Sequence, residues 1–182
     1  YLLPFVLGAK VFGFAPDLIR QVAFANQTLL ALGVYLCALF VVPRWPALAA
    51  ALLAVTAREP FVLGFYQQQQ LNLLWVGSLY CAFSFIKKDS AVWLILSSFL
   101  CGLAFTFDQR ALLLSIIPLG AMLTAFARTG RLRPVHFACA FLAAPLCGFL
   151  YLWQHQALHP FLEQTFLFTM HYRAGSLSLS GQ

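Results

Sequence analysis

Two short polar clusters interrupt an otherwise apolar chain, and both have the makings of a ligand site. The first is Asp108, Gln109 and Arg110. A guanidinium such as that of Arg110 can grip a phosphate through two parallel hydrogen bonds, and the neighbouring amide can bond sugar hydroxyls. The second is Arg58 and Glu59 ahead of Pro60, followed by the four glutamines 67–70 and Asn72. Carboxamides both donate and accept, which suits a polyhydroxylated ligand. Arg20, at the start of an apolar run, can reach an anionic head group or simply snorkel to the interface. Readings without a ligand fit the same letters: Asp108 and Arg110 also suit a turn at a membrane surface, and residues 67–72 suit a solvated helix entry.

His155, His159 and Glu163 occur at i, i+4 and i+8, a spacing that stacks three metal-ligand types on one helical face. Pro160 falls inside the stretch and interrupts a helix there, so interfacial polarity accounts for them and no metal site is assigned. Asn26, Gln27 and Thr28 spell a glycosylation sequon, but one inside an apolar run, out of reach of the modifying enzyme. GxGxxG, Walker A, GxSxG and HExxH signatures do not occur.

The elements that must hold these residues are written in the composition. Of 182 residues, 62% are hydrophobic and 9% charged, against about 25% charged in a soluble domain. Such a chain has too little polar surface to cover itself in water. A spanning helix needs about 20 apolar residues, and apolar runs fall at 22–42, 47–56, 71–86, 91–107, 111–127 and 135–153. The fold class is therefore all-α, a polytopic transmembrane helical bundle of about six hydrophobic segments. Residues 1–182 read as one transmembrane unit, with 1–20 as an outer interfacial segment, 21–153 as the spans and 154–182 as an outer segment. The second run is short, and Pro60 separates it from the apolar residues 61–65. Residues 91–107 and 111–127 form a tight hairpin around Asp108, Gln109 and Arg110, because an unbroken helix would hold both charges in lipid. The five cysteines all lie in apolar runs without CxxC pairing, where a thiol behaves as a small hydrophobe.

Orientation follows from the basic residues, which accumulate in short cytoplasmic loops. With Arg44 inside, alternation places Lys87, Lys88, Asp89, Arg128, Arg131 and Arg133 inside as well. Lys10, Asp17, Arg20, Arg58, Glu59, Asp108, Arg110, Glu163 and Arg173 fall outside. The inner loops then carry six basic residues and one acid, and the outer ones five and four. The formal net charge of +6 thus reads as a topology signal and not as a nucleic-acid surface. The outer side, richer in acids and amides, is where a polar cavity is expected. No basic n-region with a cleavage site opens the chain at Tyr1, and it reads as an internal piece of a longer protein.

The order of these features resembles that of a known family. Pro4, then Val11-Phe12-Gly13-Phe14, then Arg20 leading into a span is similar to the stretch after the first outer loop in the polytopic glycosyltransferases of the GT-C class. Most narrowly it resembles the protein mannosyltransferase and aminoarabinose transferase group. Cys101-Gly102-Leu103-Ala104-Phe105-Thr106-Phe107-Asp108-Gln109-Arg110 resembles a second recurrent stretch, in which Gly-Leu-Ala and a short apolar run precede a lysine; here Asp108 and Gln109 stand in place of that lysine. The segment 168–173, with His171 and Tyr172, resembles the aromatic and polar outer segment after a late span.

The resemblance implies a glycosyltransferase moving a sugar from a polyprenyl-phosphate carrier to a lipid or protein acceptor. It further implies a site facing outward from a membrane such as the bacterial inner membrane. The donor is itself a lipid-linked sugar; no other cofactor is expected, and a divalent metal is left open. The catalytic base is implied in an outer loop before Tyr1. Arg20, Arg58, Asp108, Gln109, Arg110, His171 and Tyr172 are then candidates for binding the lipid phosphate or sugar. Expected partners are membrane lipids, the polyprenyl-phosphate sugar and the acceptor, with no nucleic acid. A transporter or lipid flippase is the alternative, with its ligand near the bilayer midplane on helices broken at Pro118 and Pro145; a membrane scaffold without a site is a third.

Overall fold

The computed structural model describes Lys10 and residues 18–56 and 66–163. Arg58, Glu59, His171, Tyr172 and the Phe12-Gly13 motif lie outside the described residues. The described chain is helical: α1 (Leu18–Ala38), α2 (Arg44–Thr56), α3 (Tyr66–Lys88), α4 (Ala91–Phe107), a 3-10 segment (Gln109–Ser115), α5 (Ile116–Thr129), α6 (Pro134–Gln154) and the short α7 (Leu158–Leu162). It divides into two compact units, Tyr1–Ala144 and Pro145–Gln182.

Two helices of the first unit end on left-handed residues. After Lys88, Asp89 takes a left-handed conformation with φ 47°, and its N–H closes on the Phe85 carbonyl at 2.8 Å. Lys87 and Lys88 in the last turn of α3 complement its negative end. Gly130, with φ 67°, ends α5 and donates to the Phe126 carbonyl, the usual left-handed cap that glycine adopts without cost. Pro46 sits in the first turn of α2, where a missing N–H costs little.

Packing is carried by small and polar residues, as it must be where lipid removes the hydrophobic gain of helix association. Along α3 and α4, Ser78 and Ser97 are fully buried. The Ser78 hydroxyl donates to the Ser97 carbonyl at 3.0 Å, the Ser97 hydroxyl returns a bond to the Ser78 carbonyl at 2.9 Å, and Ser78 Oγ lies 3.1 Å from Cys101 Sγ. These pairs set the register of α3 on α4, and the two-residue connection through Asp89 and Ser90 makes the two helices antiparallel. By contrast α1 runs parallel to α3: Cys37 Sγ donates to the Val76 carbonyl at 3.4 Å, and Phe40 meets Tyr80 and Phe83 with ring centroids 5.6 and 5.4 Å apart. α5 also runs parallel to α3, since Leu71 near the start of α3 packs with Ala111 and Leu114, while Ala82 and Phe85 further along pack with Ala121, Met122 and Ala125. Large apolar side chains point outward instead, with Trp45 80% exposed and Leu113 79% exposed, a surface suited to lipid and far too apolar for water.

Three described helices are long and apolar enough to cross a membrane, Gln21–Ala38, Ala111–Thr129 and Pro134–Gln154, with shorter apolar helices at Arg44–Ala54 and Ala91–Thr106. The expected all-α bundle is what folds. The hairpin at Asp108 is also found, since Leu71, Ala104 and Ala111 pack together beside the turn. Its second arm differs from expectation: it starts as a 3-10 helix, and regular α-helix begins only at Ile116.

Two prolines leave carbonyls that α4 receives. Pro118 cannot donate to Leu114, and the Cys101 thiol donates to the Leu114 carbonyl at 3.4 Å instead. Pro145, inside α6, likewise leaves Phe141 without its helical donor, and the backbone of Gly102 approaches that carbonyl so closely that a Cβ would overlap it. Only a residue without a Cβ lets α4 and α6 come this close.

In the second unit, α6 ends after Gln154, the chain turns through Gln156 with φ 53°, and α7 follows. Pro160, expected to break a helix here, lies instead in the first turn of α7, where its missing N–H is harmless. His155 stays outside that helix, its ring 4.4 Å from that of Tyr151, while His159 Nδ1 and Glu163 Oε2 lie 3.6 Å apart. The three residues therefore do not share one continuous helical face, and no group of three metal-ligand types gathers among the described residues.

Gly102→Leu is expected to lower stability by about 1–3 kcal/mol through overpacking against the Phe141 backbone, measured by thermal unfolding in detergent. Gly120→Ala, where a Cβ meets nothing within 4 Å, is expected to cost nothing.

Candidate functional site

Helix directions decide what can meet. Because α1 and α3 are parallel and α4 is antiparallel to both, the starts of α1 and α3 and the finish of α4 gather at one end of the first unit. That end carries Arg20 in the first turn of α1, glutamines 67–70 and Asn72 at the start of α3, and Asp108, Gln109 and Arg110 after α4. Leu71 and Ala104, both buried, and Ala111, 1% exposed, form the apolar floor beneath it with Leu74 and Leu114.

Local backbone explains why the polar triplet sits there. Asp108 is extended, with φ −148° and ψ 124°, and its N–H caps α4 on the Ala104 carbonyl. Its own carbonyl accepts from Ala111 at 2.9 Å, starting the 3-10 segment that carries Gln109 and Arg110. Asp108 and Gln70 are half-buried. The structure thus brings Arg20, Asp108, Gln109 and Arg110 to one end, together with the amide tract. Arg58, His171 and Tyr172 lie outside the described residues.

One residue at this end was not singled out from sequence as a site residue. Asn26 lies on the packed face of α1, with Ala23, Leu30 and Cys37. Its sequon was set aside as out of reach inside an apolar run, and α1 shows too little contrast between its lipid-facing and packed sides to mark Asn26 as lying on the latter.

The opposite end has a different chemistry. Arg44, Lys87, Lys88, Arg128, Arg131 and Arg133 collect there with a single acid, Asp89. Lys87 lies 5.8 Å from the Phe40 ring centre, Lys88 5.0 Å from that of Trp93 and Arg133 5.7 Å from that of Phe85. Arg133 also binds Asp89 twice, to its carboxylate at 3.3 Å and to its carbonyl at 3.1 Å. The loop between α3 and α4 is thereby tied to the loop between α5 and α6. The grouping of basic residues expected from alternating spans is therefore present as a physical end of the bundle.

A family model described as dolichyl-phosphate-mannose-protein mannosyltransferase matches residues 4–153. The chain belongs to this family. This mannosyltransferase-family protein is accordingly a membrane glycosyltransferase by kinship, and the matched stretch includes Arg20, Arg58, Asp108, Gln109 and Arg110 but neither His171 nor Tyr172. No curated protein and no solved structure matches the chain.

The Asp89–Arg133 link lends itself to a double-mutant cycle. With the Asp89 side chain 42% exposed, Asp89→Ala and Arg133→Ala are expected to couple by about 0.2–1 kcal/mol. Unfolding in about 0.05 M and about 0.5 M salt checks it, with the smaller coupling at high salt.

Proposed function

We propose that this chain supplies the lipid-phosphate and sugar-binding end of a glycosyltransferase whose donor is a polyprenyl-phosphate-linked sugar and whose acceptor is a hydroxyl of a lipid or protein. The observation that carries the reading is the convergence of Arg20, the amide tract and Asp108, Gln109 and Arg110 at one end of the bundle, all within the family-matched residues. Arg58, His171 and Tyr172 complete the proposed set from the sequence resemblance alone.

The chemistry asks for two services. An acceptor hydroxyl attacks the anomeric carbon while a base takes its proton, and the carbon–oxygen bond to the carrier breaks. The electron pair leaves on the lipid phosphate, where developing charge needs preorganised donors. Arg20, Arg58 and Arg110 are assigned to the phosphate, and Gln109 with the glutamines 67–70 to sugar hydroxyls. The base is assigned to an acidic residue of an outer loop preceding Tyr1. The six cations at the opposite end support an outward-facing site, since such residues are retained on the cytoplasmic side. A bacterial inner membrane is the proposed setting. No metal is assigned a role.

In the full-length protein reconstituted in nanodiscs, Arg20→Gln, Arg58→Gln and Arg110→Gln are each expected to lower turnover about 100-fold or more with radiolabelled polyprenyl-phosphate mannose, at unchanged melting temperature. Three variants all within twofold of the unsubstituted enzyme would sink the assignment. Orientation is checked separately in a background with the five native cysteines replaced. A cysteine at Gln109 should react with an impermeant maleimide from outside intact cells, and one at Gly130 only after permeabilisation; the reverse pattern refutes an outward-facing site.

A further inference from the structure

Among the described residues, one buried side-chain nitrogen or oxygen has no hydrogen-bond partner: Nδ2 of Asn26. Buried polar groups are nearly always paired, and the penalty for an exception grows where lipid excludes water. The nearby Thr28 shows the ordinary solution, its hydroxyl donating to the Phe24 carbonyl at 2.9 Å. The Asn26 amide nitrogen takes no such bond.

Its position gives the orphan amide a meaning. The register of α1 against α3 is set by Gly33, where a Cβ would lie 2.6 Å from Val76 Cγ1, and by Cys37 on the Val76 carbonyl. Seven residues back along each of two parallel helices, Asn26 comes level with Gln69, and Asn72 follows one turn further along α3. Asn26 therefore makes the α1 side of this apolar seam polar towards the end that carries Arg20, which lies about 9 Å above it at 1.5 Å per residue. Ala23, one turn closer to that end, is fully buried and small, and it leaves the amide as the first large polar group on the packed face below Arg20.

We infer that Asn26 is a ligand-contacting residue, its amide N–H donating to an acceptor oxygen of the lipid-linked sugar. This rests on the proposed function and extends it, because it puts part of the binding site inside the α1–α3 seam and not only at its rim. A neutral donor suits either a phosphate oxygen or a sugar hydroxyl. Both belong to the same ligand, and the experiment separates them.

The test uses the full-length protein in nanodiscs with two probes, polyprenyl phosphate and polyprenyl-phosphate mannose. Asn26→Leu keeps the volume and removes the polar group; Asn26→Asp keeps the shape and removes the N–H donors. Both variants are expected to bind more weakly by roughly threefold to tenfold, the range for one hydrogen bond, while Asn26→Leu melts at the same temperature as the unsubstituted protein or higher. Weakening with both probes assigns the phosphate as acceptor, and weakening with the mannosyl probe alone assigns a sugar hydroxyl. If Asn26→Asp, or a stably folded Asn26→Leu, binds both probes as the unsubstituted protein does, the inference is overturned although the proposed function stands. If the unsubstituted protein binds neither probe, the proposed function fails and this inference falls with it.

Discussion

A carbonyl that loses its helical donor inside a bilayer has no water to turn to, so another part of the protein must meet it. In the first unit that obligation falls on two consecutive residues. The Cys101 thiol answers the carbonyl that Pro118 leaves at Leu114, and Gly102 answers the one that Pro145 leaves at Phe141. One meets the carbonyl with a weak sulfur donor, the other with close backbone contact, and the second is possible only because glycine has no side chain to stand in the way. The 3-10 segment and α6 are thus drawn to the same turn of α4. Since Asp108 caps that helix less than two turns further on, the placement of Gln109 and Arg110 depends on how α4 is held.

The serine pairs across α3 and α4 act in the same direction. Reciprocal hydroxyl-to-carbonyl bonds between Ser78 and Ser97 fix the axial register of two helices whose apolar faces would otherwise slide over one another. Each bond is modest in a membrane, but the register they set is discrete. It aligns the start of α3 with the finish of α4 and brings the glutamines level with Asp108.

Helix content, the turn at Asp108 and the gathering of the amides at the end opposite six of the basic residues were all legible in the residues, because long apolar runs and their charged breaks carry that information directly. The family kinship was legible as well, through the Phe12-Gly13 and Gly102-Leu103-Ala104 stretches. What stayed hidden was lateral. An apolar helix facing lipid on one side and protein on the other shows little contrast between the two, so neither the parallel pairing of α1 with α3 nor the inward face bearing Asn26 could be read from periodicity. The 3-10 start of the second hairpin arm was hidden for a different reason: Ala111, Leu112, Leu113 and Leu114 are good α-helix formers, and tertiary packing overrode their propensity. Pro160 misled in the opposite sense, since its effect depends on which turn of a helix it occupies. Arg58, His171 and Tyr172 rest on the sequence alone.

Helix α4 has one more consequence, which concerns the membrane around it. It contains 17 residues and is closed at one end by Ser90 and at the other by extended Asp108, which makes it about 26 Å long against a hydrocarbon thickness of about 30 Å. Tilting only shortens its reach. The mismatch is relieved if the lipids beside it compress, so that head groups on the Asp108 side come down to the protein.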